Sequence, residues 1–233
     1  MVEEEPSKLL QLVANIMREN YKSEIAEEAR KEIVGLIGDF YNTWDELSGK
    51  SKKIFLESAL ALSISYRLSP LAYSIFYNFL IGDSPPCFME LRLIIETLAK
   101  AIYADRRYSK KTAFHKLECL ESFLENGEEG KPISMSKFFK SYLPEATGEE
   151  LANEINTLWH QLSRDWLHLK GYVNKLIDRI QEMSQPSWSI GVPVVYEESD
   201  KRDLNELQEM VKKTRKIFAR GKSSWSDFYF QCI

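Results

Sequence analysis

The sequence has few of the residues and patterns from which reactive centres are built. Its three cysteines, Cys87, Cys119 and Cys232, lie far apart and form no CxxC pair, so it predicts neither a zinc site nor a disulfide framework. P-loop, GxGxxG, HExxH and GxSxG patterns are missing, which leaves the common nucleotide-binding, zinc-hydrolase and serine-hydrolase classes without support. We therefore expect no cofactor and no bound metal.

An excess of positive charge is missing too. Lysine and arginine number 31 against 35 aspartates and glutamates, for a formal net charge of -4. This argues against a broadly cationic surface that binds nucleic acid by neutralising phosphates, so RNA binding would need a local basic patch. The first residues, MVEEEPSKLL, are acidic where a secretory signal is basic and then apolar. We expect a cytoplasmic protein with reduced thiols.

One apolar run is long enough to test for a membrane span. Residues 58–82 carry Arg67 as their only charge and could cross a bilayer by length alone. A central arginine and Pro70 make that placement costly. We predict instead two helices that are broken near Pro70 and buried on most sides, and no contact with the membrane.

The hydrophobic periodicity is helical almost throughout, and the chain is 44% hydrophobic. These features predict an all-α bundle of about seven or eight helices, with a short extended or β segment near the C-terminus. Residues 1–184 form the predicted bundle core. The spacing of Thr147 and Glu150 is that of a capping box, which would open the longest helix, over residues 148–183.

Residues 185–233 are predicted to pack on the same domain as an extended segment, a helix and an aromatic tail. The run VPVVY, residues 192–196, has the only β-type pattern. Since one strand is not stable alone, it must pair with a distant strand, lie extended against the helices, or join its copy in an oligomer. A helix is expected from Asp200 to Gly221. The apolar tail SSWSDFYFQCI should dock on this chain or on a partner.

The stretch LWHQLSRDWLHLKGYV, residues 158–173, carries a polar stripe. At 100° per residue, the apolar side chains share one face and His160, Arg164 and His168 fall on nearly the opposite one. The simplest interpretation is the solvent side of an amphipathic helix. A metal site is disfavoured because the histidines are about 12 Å apart along the axis and Arg164 would repel a cation. RNA cleavage without metal would use an imidazole for proton transfer and a cation for the phosphorane charge.

The segment RDWLH resembles the motif of the HEPN superfamily, helical bundles of which many are metal-independent RNases in toxin and antiviral systems. The family motif is an Arg, usually a polar residue, and then a His after four to six intervening residues. The resemblance covers residues 50–183 and implies that Arg164 holds phosphate, His168 is the acid or base, and Asp165 orients them. Only three residues separate Arg164 from His168 here. HEPN sites are commonly built across a homodimer, which an outward stripe would allow.

Three functional hypotheses follow. The first is an interaction or assembly module that acts as a homo-oligomer, expected to be a homodimer, with room for another protein partner. The alternative is a HEPN-like endoribonuclease whose composite dimer site uses Arg164, His168, Asp165 and His160. A third is a small-ligand pocket between helices, which would be lined by Tyr66, Tyr73, Phe76 and Tyr77.

Overall fold

The computed structural model describes residues 6–127, 130–167, 173, 177 and 194–230. These residues form an all-α bundle without a β-strand, which confirms the predicted fold class. Its helices are α1 (Pro6–Lys22), α2 (Glu27–Lys50), α3 (Ile54–Glu57), α4 (Ala59–Ser63), α5 (Ser69–Leu80), α6 (Ser84–Arg107), α7 (Ala113–Asn126), α8 (Met135–Ser141), α9 (Leu143–Thr147), α10 (Glu149–Leu162) and α11 (Lys201–Tyr229). The other described elements are two π-helical turns, Ile64–Leu68 and Ser163–Leu167, and a 3₁₀ turn, Glu198–Asp200.

Helix α6 lies at the centre of the bundle. It packs against α4, α5, α7, α9, α10 and α11, so most of its length is buried between other helices. Helix α11 lies between α2 and α6 and comes close to α6 at Gly221. A Cβ at this glycine would be 2.9 Å from Ile102 Cδ1. Gly221 therefore serves close helix packing, and the predicted helix end at this residue is wrong.

Ion pairs of Arg215 join the other side of α11 to α2. Arg215 donates hydrogen bonds to Asp39 at 2.7 Å and to Glu32 at 2.7 Å, both on α2. Its guanidinium lies against Gly35, where a side chain would occupy the same space. The hydrogen bond to Asp39 raises the pKa of Arg215. Close approach at a glycine therefore lets one arginine reach two carboxylates.

The predicted break at Pro70 is wrong, because the chain stays helical from Ala59 to Leu80. The break lies at Ser58, which is extended and whose hydroxyl accepts the N–H of Ala61. A wider π-helical turn directly precedes α5 and accommodates Pro70 within the first turn of that helix. Among the described residues, no helix has both the length and the apolar character needed to cross a membrane.

The predicted capping box at Thr147 is also wrong. The residue before α10 is Gly148, whose φ of 82° ends α9 and leads into α10. The Thr147 hydroxyl donates back to the Leu143 carbonyl at 3.1 Å, so this residue belongs to the end of α9. Helical geometry continues through the π-helical turn to Leu167. Most of the predicted continuation to residue 183 lies outside the described residues.

Residues 194–196 of the VPVVY run are described, and they correspond to one of its three alternatives. They lie extended against the helices. The Asn20 side chain donates to the Val194 carbonyl at 2.8 Å and accepts the Tyr196 N–H at 2.8 Å. The Tyr196 hydroxyl donates to the Phe79 carbonyl at 2.7 Å.

The aromatic tail docks on its own chain, one of the two predicted outcomes. Helix α11 continues past Gly221 to Tyr229, so the described part of the tail is helical. The side chains of Trp225 and Tyr229 are buried in the core. Their burial explains why this segment is so apolar.

Candidate functional site

The two described residues of the polar stripe, His160 on α10 and Arg164 on the π-helical turn after it, lie on the outer side, as predicted. Leu158, Leu162 and Trp166 are buried on the inner side, while His160 and Arg164 are exposed. The Arg164 side chain is 76% exposed. The stripe therefore presents a cation to solvent, at a π-helical turn of the kind often found at functional sites.

Arg164 and Asp165 are brought together, and His160 is directed elsewhere. The Arg164 guanidinium donates to both oxygens of Asp165, at 2.6 and 3.0 Å, and this contact raises the pKa of Arg164. The His160 Nε2 lies 3.2 Å from the Ser136 hydroxyl of α8, and its ring packs against Trp159. His168, the predicted acid or base, lies outside the described residues.

A larger surface feature, which we call the tyrosine face, lies on the α5–α6 hairpin. It consists of five side chains that are between 36% and 78% exposed: Tyr66, Tyr73, Tyr77, Met89 and Leu93. The tyrosines recur at helical spacing on the side of the chain opposite the buried Leu68, Ala72, Ile75 and Phe79. Met89 and Leu93 occupy the corresponding outer side of α6. Since the tyrosines are directed to solvent, they do not line the ligand pocket that the third hypothesis placed between the helices.

Polar contacts join the two helices between these outer sides. The Glu90 carboxylate accepts from the Ser74 hydroxyl and from the Asn78 amide, the latter at 3.1 and 3.2 Å. The Cys87 thiol donates to the Ile75 carbonyl at 3.4 Å. These contacts place residues 74–78 of α5 beside residues 87–90 of α6. The tyrosines and Met89 and Leu93 therefore flank one seam.

Glu90 gives the tyrosine face an acidic centre. Its side chain is half-buried, and desolvation raises the pKa of its carboxyl above the ordinary value. Burial likewise raises the pKa of Asp83, at the start of α6. The described residues supply Glu90 with neutral hydrogen-bond donors only. A carboxylate in these surroundings would be stabilised by a cation brought by a binding partner.

A buried polar cluster around Asp105 was missed by the sequence analysis. The Asp105 carboxylate accepts from the Ser58 hydroxyl at 2.7 Å, the Lys116 ammonium at 2.9 Å and the Trp225 indole at 2.8 Å. It also accepts the backbone N–H groups of Ala59 and Leu60, at 2.8 and 3.1 Å, and so caps α4. All five donors are satisfied inside the core, which is typical of a structural anchor.

The sequence did contain a signal for this cluster. Asp105 continues the buried positions Leu98 and Ile102 of α6 at helical spacing, so it was predictable as a core residue that needs a cation. Tyr229 closes the cluster, with its ring 5.7 Å from the Lys116 ammonium. Burial raises the pKa of Tyr229 to about 12.

The described residues contain no group of three or more His, Cys, Asp or Glu side chains placed to hold a metal ion. No protein-family model, curated protein or solved structure matches the chain. The tyrosine face and the polar stripe are therefore the two candidate functional surfaces among the described residues.

Proposed function

We propose that this chain is an interaction and assembly module that acts as a homodimer, with the tyrosine face as its binding surface. The observation that carries the proposal is the set of five exposed apolar and aromatic side chains along one seam. Exposed apolar patches of this kind mark interaction sites in proteins. Tyrosine is also enriched among the residues that dominate binding energy at interfaces. A cytoplasmic location is part of the proposal and is supported by the free thiols of Cys87 and Cys119.

Sedimentation velocity over a wide range of protein concentration tests the proposal. The parent protein is expected to self-associate, and Tyr73→Arg is expected to abolish the association because it places a cation in the apolar contact. Tyr41→Arg is the matched control, since Tyr41 is 58% exposed on α2 and Tyr73 is 57% exposed on α5. A parent that stays monomeric at every concentration, or equal losses in both variants, would contradict the proposal.

The second candidate is a metal-independent endoribonuclease, and the exposed Arg164 is the observation that favours it. Its guanidinium is oriented by Asp165 but open to solvent, which suits it to hold a phosphate. His168 would transfer the proton, and a second copy would complete the site. Under this hypothesis Asp165 orients Arg164, and His160 is a further imidazole on the same stripe.

Cleavage of a mixed pool of labelled RNAs in EDTA tests this candidate. Arg164→Ala and His168→Ala should abolish cleavage, and Arg164→Ala should leave the melting temperature unchanged because the side chain is exposed. Lys216→Ala is the control, because it removes an exposed cation that pairs with Glu154 on α10. If the parent cleaves nothing, or if Arg164→Ala cleaves as the parent does, the stripe is not an RNase site.

A further inference from the structure

Helix α1 carries an apolar surface that its own chain leaves uncovered. The side chains of residues 7–12 are all exposed, and three of them are leucines: Leu9, Leu10 and Leu12. Leu9, Val13 and Ile16 follow one another at i, i+4 and i+7 with Leu10 beside them, so they form one stripe that is exposed at Leu9 and Leu10 and half-buried at Val13 and Ile16. The exposed first turns of α1 are shorter than the about 12–15 residues below which an isolated helix is marginal in water. This stripe therefore needs a surface to pack on.

The end of α1 is fixed to its own chain. Asn20 is fully buried and donates to the carbonyls of Leu80 and Val194, at 2.9 and 2.8 Å. Met17 packs against the core nearby, and α1 contacts α5 and α2. With the helix held in this way, both its leucines and the tyrosine face remain exposed in a single copy.

From these two uncovered surfaces we infer that the tyrosine face is occupied by α1 of a second copy, in a reciprocal exchange of helices. The inference rests on the proposed self-association and names the segment that mediates it. A two-fold arrangement would cover both surfaces of both copies with the same contact made twice, and it closes without leaving a free binding surface. An amphipathic helix laid on an apolar face is a common mode of recognition.

Length and charge support this occupant. Residues 6–17 of α1 and the helical path from Tyr66 to Tyr77 each span about 16 Å. The exposed turns of α1 carry Lys8, and the tyrosine face carries Glu90 at its seam. The described residues give neither of these two groups an oppositely charged partner. The exchange would bring a cation to a carboxylate that burial now disfavours.

Sedimentation velocity of two leucine variants tests the inference. Leu10→Ser should weaken dimerisation at least about tenfold, because each dimer would lose the leucine contact twice. Leu56→Ser is the matched control, since Leu56 is 69% exposed on α3 and Leu10 is 70% exposed on α1. The control should leave dimerisation unchanged. Neither change removes a buried side chain, so both variants are expected to fold.

The outcomes separate this inference from the proposed function. If Leu10→Ser dimerises like the parent while Tyr73→Arg does not, the exchange of α1 is wrong and the tyrosine face remains the binding surface. If Leu10→Ser and Leu56→Ser weaken the dimer equally, α1 has no special part in it. If the parent is a monomer, both the inference and the proposed function are wrong.

Crosslinking between differently labelled copies provides a direct second test. Cys119 and Cys232 would be replaced by serine, and Cys87 would be kept because it is buried and does not react with the crosslinker. Copies that carry Leu10→Cys would then be mixed with copies that carry Tyr73→Cys. A flexible bismaleimide should then yield covalent dimers that contain one copy of each kind. Crosslinking no greater in the mixture than in either variant alone would overturn the exchange.

Discussion

Removal of the Asp105 carboxylate should be among the most damaging single changes to this fold. Lys116 is 1% exposed, and its ammonium has Asp105 as its carboxylate partner. Asp105→Ala would leave that charge buried without an anion, with the Ser58 hydroxyl and the Trp225 indole also losing their acceptor. Breaking a buried ion pair from one side costs about 3–5 kcal/mol. For a chain of this size, that corresponds to a melting temperature roughly 6–20 °C lower.

A double-mutant cycle separates the ion pair from the rest of the cluster. Lys116→Met removes the ammonium but keeps the apolar length of the side chain, and the carboxylate retains its four other donors. Asp105→Asn removes the charge but keeps an acceptor. The double variant should lose less stability than the sum of the two single losses, by at least about 1 kcal/mol, because neither charge is then left alone.

Urea unfolding and thermal melting, both followed by helical circular dichroism, measure these losses. Lys31→Met is the control, because Lys31 pairs with Glu27 and Glu28 on the surface of α2. Its melting temperature should change by no more than about 2 °C. The argument fails if Asp105→Ala is no less stable than this control, or if the losses in the cycle are simply additive.

Three further predictions concern other parts of the fold. Because desolvation raises the pKa of Glu90, its ionisation opposes folding, and this cost appears as pH rises through the folded-state pKa. In dilute protein, where no second copy brings Lys8 to this carboxylate, Glu90→Gln should therefore melt higher than the parent at neutral pH and at the same temperature below the ordinary carboxyl range, and a constant difference would contradict this. Gly38→Ala, with nothing within 4 Å of the new Cβ, should gain up to about 1 kcal/mol in urea unfolding. Gly221→Ala should lose about 1 kcal/mol because its Cβ would crowd Ile102; equal gains would refute the packing argument. Asn20→Ala should speed hydrogen exchange at the Tyr196 amide, which Asn20 accepts at 2.8 Å, and unchanged exchange would show that another group protects it.

Local patterns predicted the parts of the fold that depend on neighbouring residues. The buried side of α10, with Leu158, Leu162 and Trp166, follows from helical spacing, and so does the outward direction of Arg164. The aromatic tail was predicted to dock because apolar side chains at this density need cover. Predictions failed where backbone geometry mattered, since a π-helical turn before Pro70 and a positive φ at Gly148 leave weak sequence signals.

By itself, therefore, the sequence determined a helical bundle, the polar side of α10 and the need to bury the C-terminal aromatic residues. It could not determine that Tyr66, Tyr73 and Tyr77 are exposed. This part of the chain is apolar on nearly every side, so periodicity cannot tell which side its neighbours cover. The Asp105 cluster needed the tertiary structure for the same reason, because Ser58, Lys116 and Trp225 come from distant parts of the chain. Only the packing of α4, α7 and α11 around α6 brings their donors to one carboxylate.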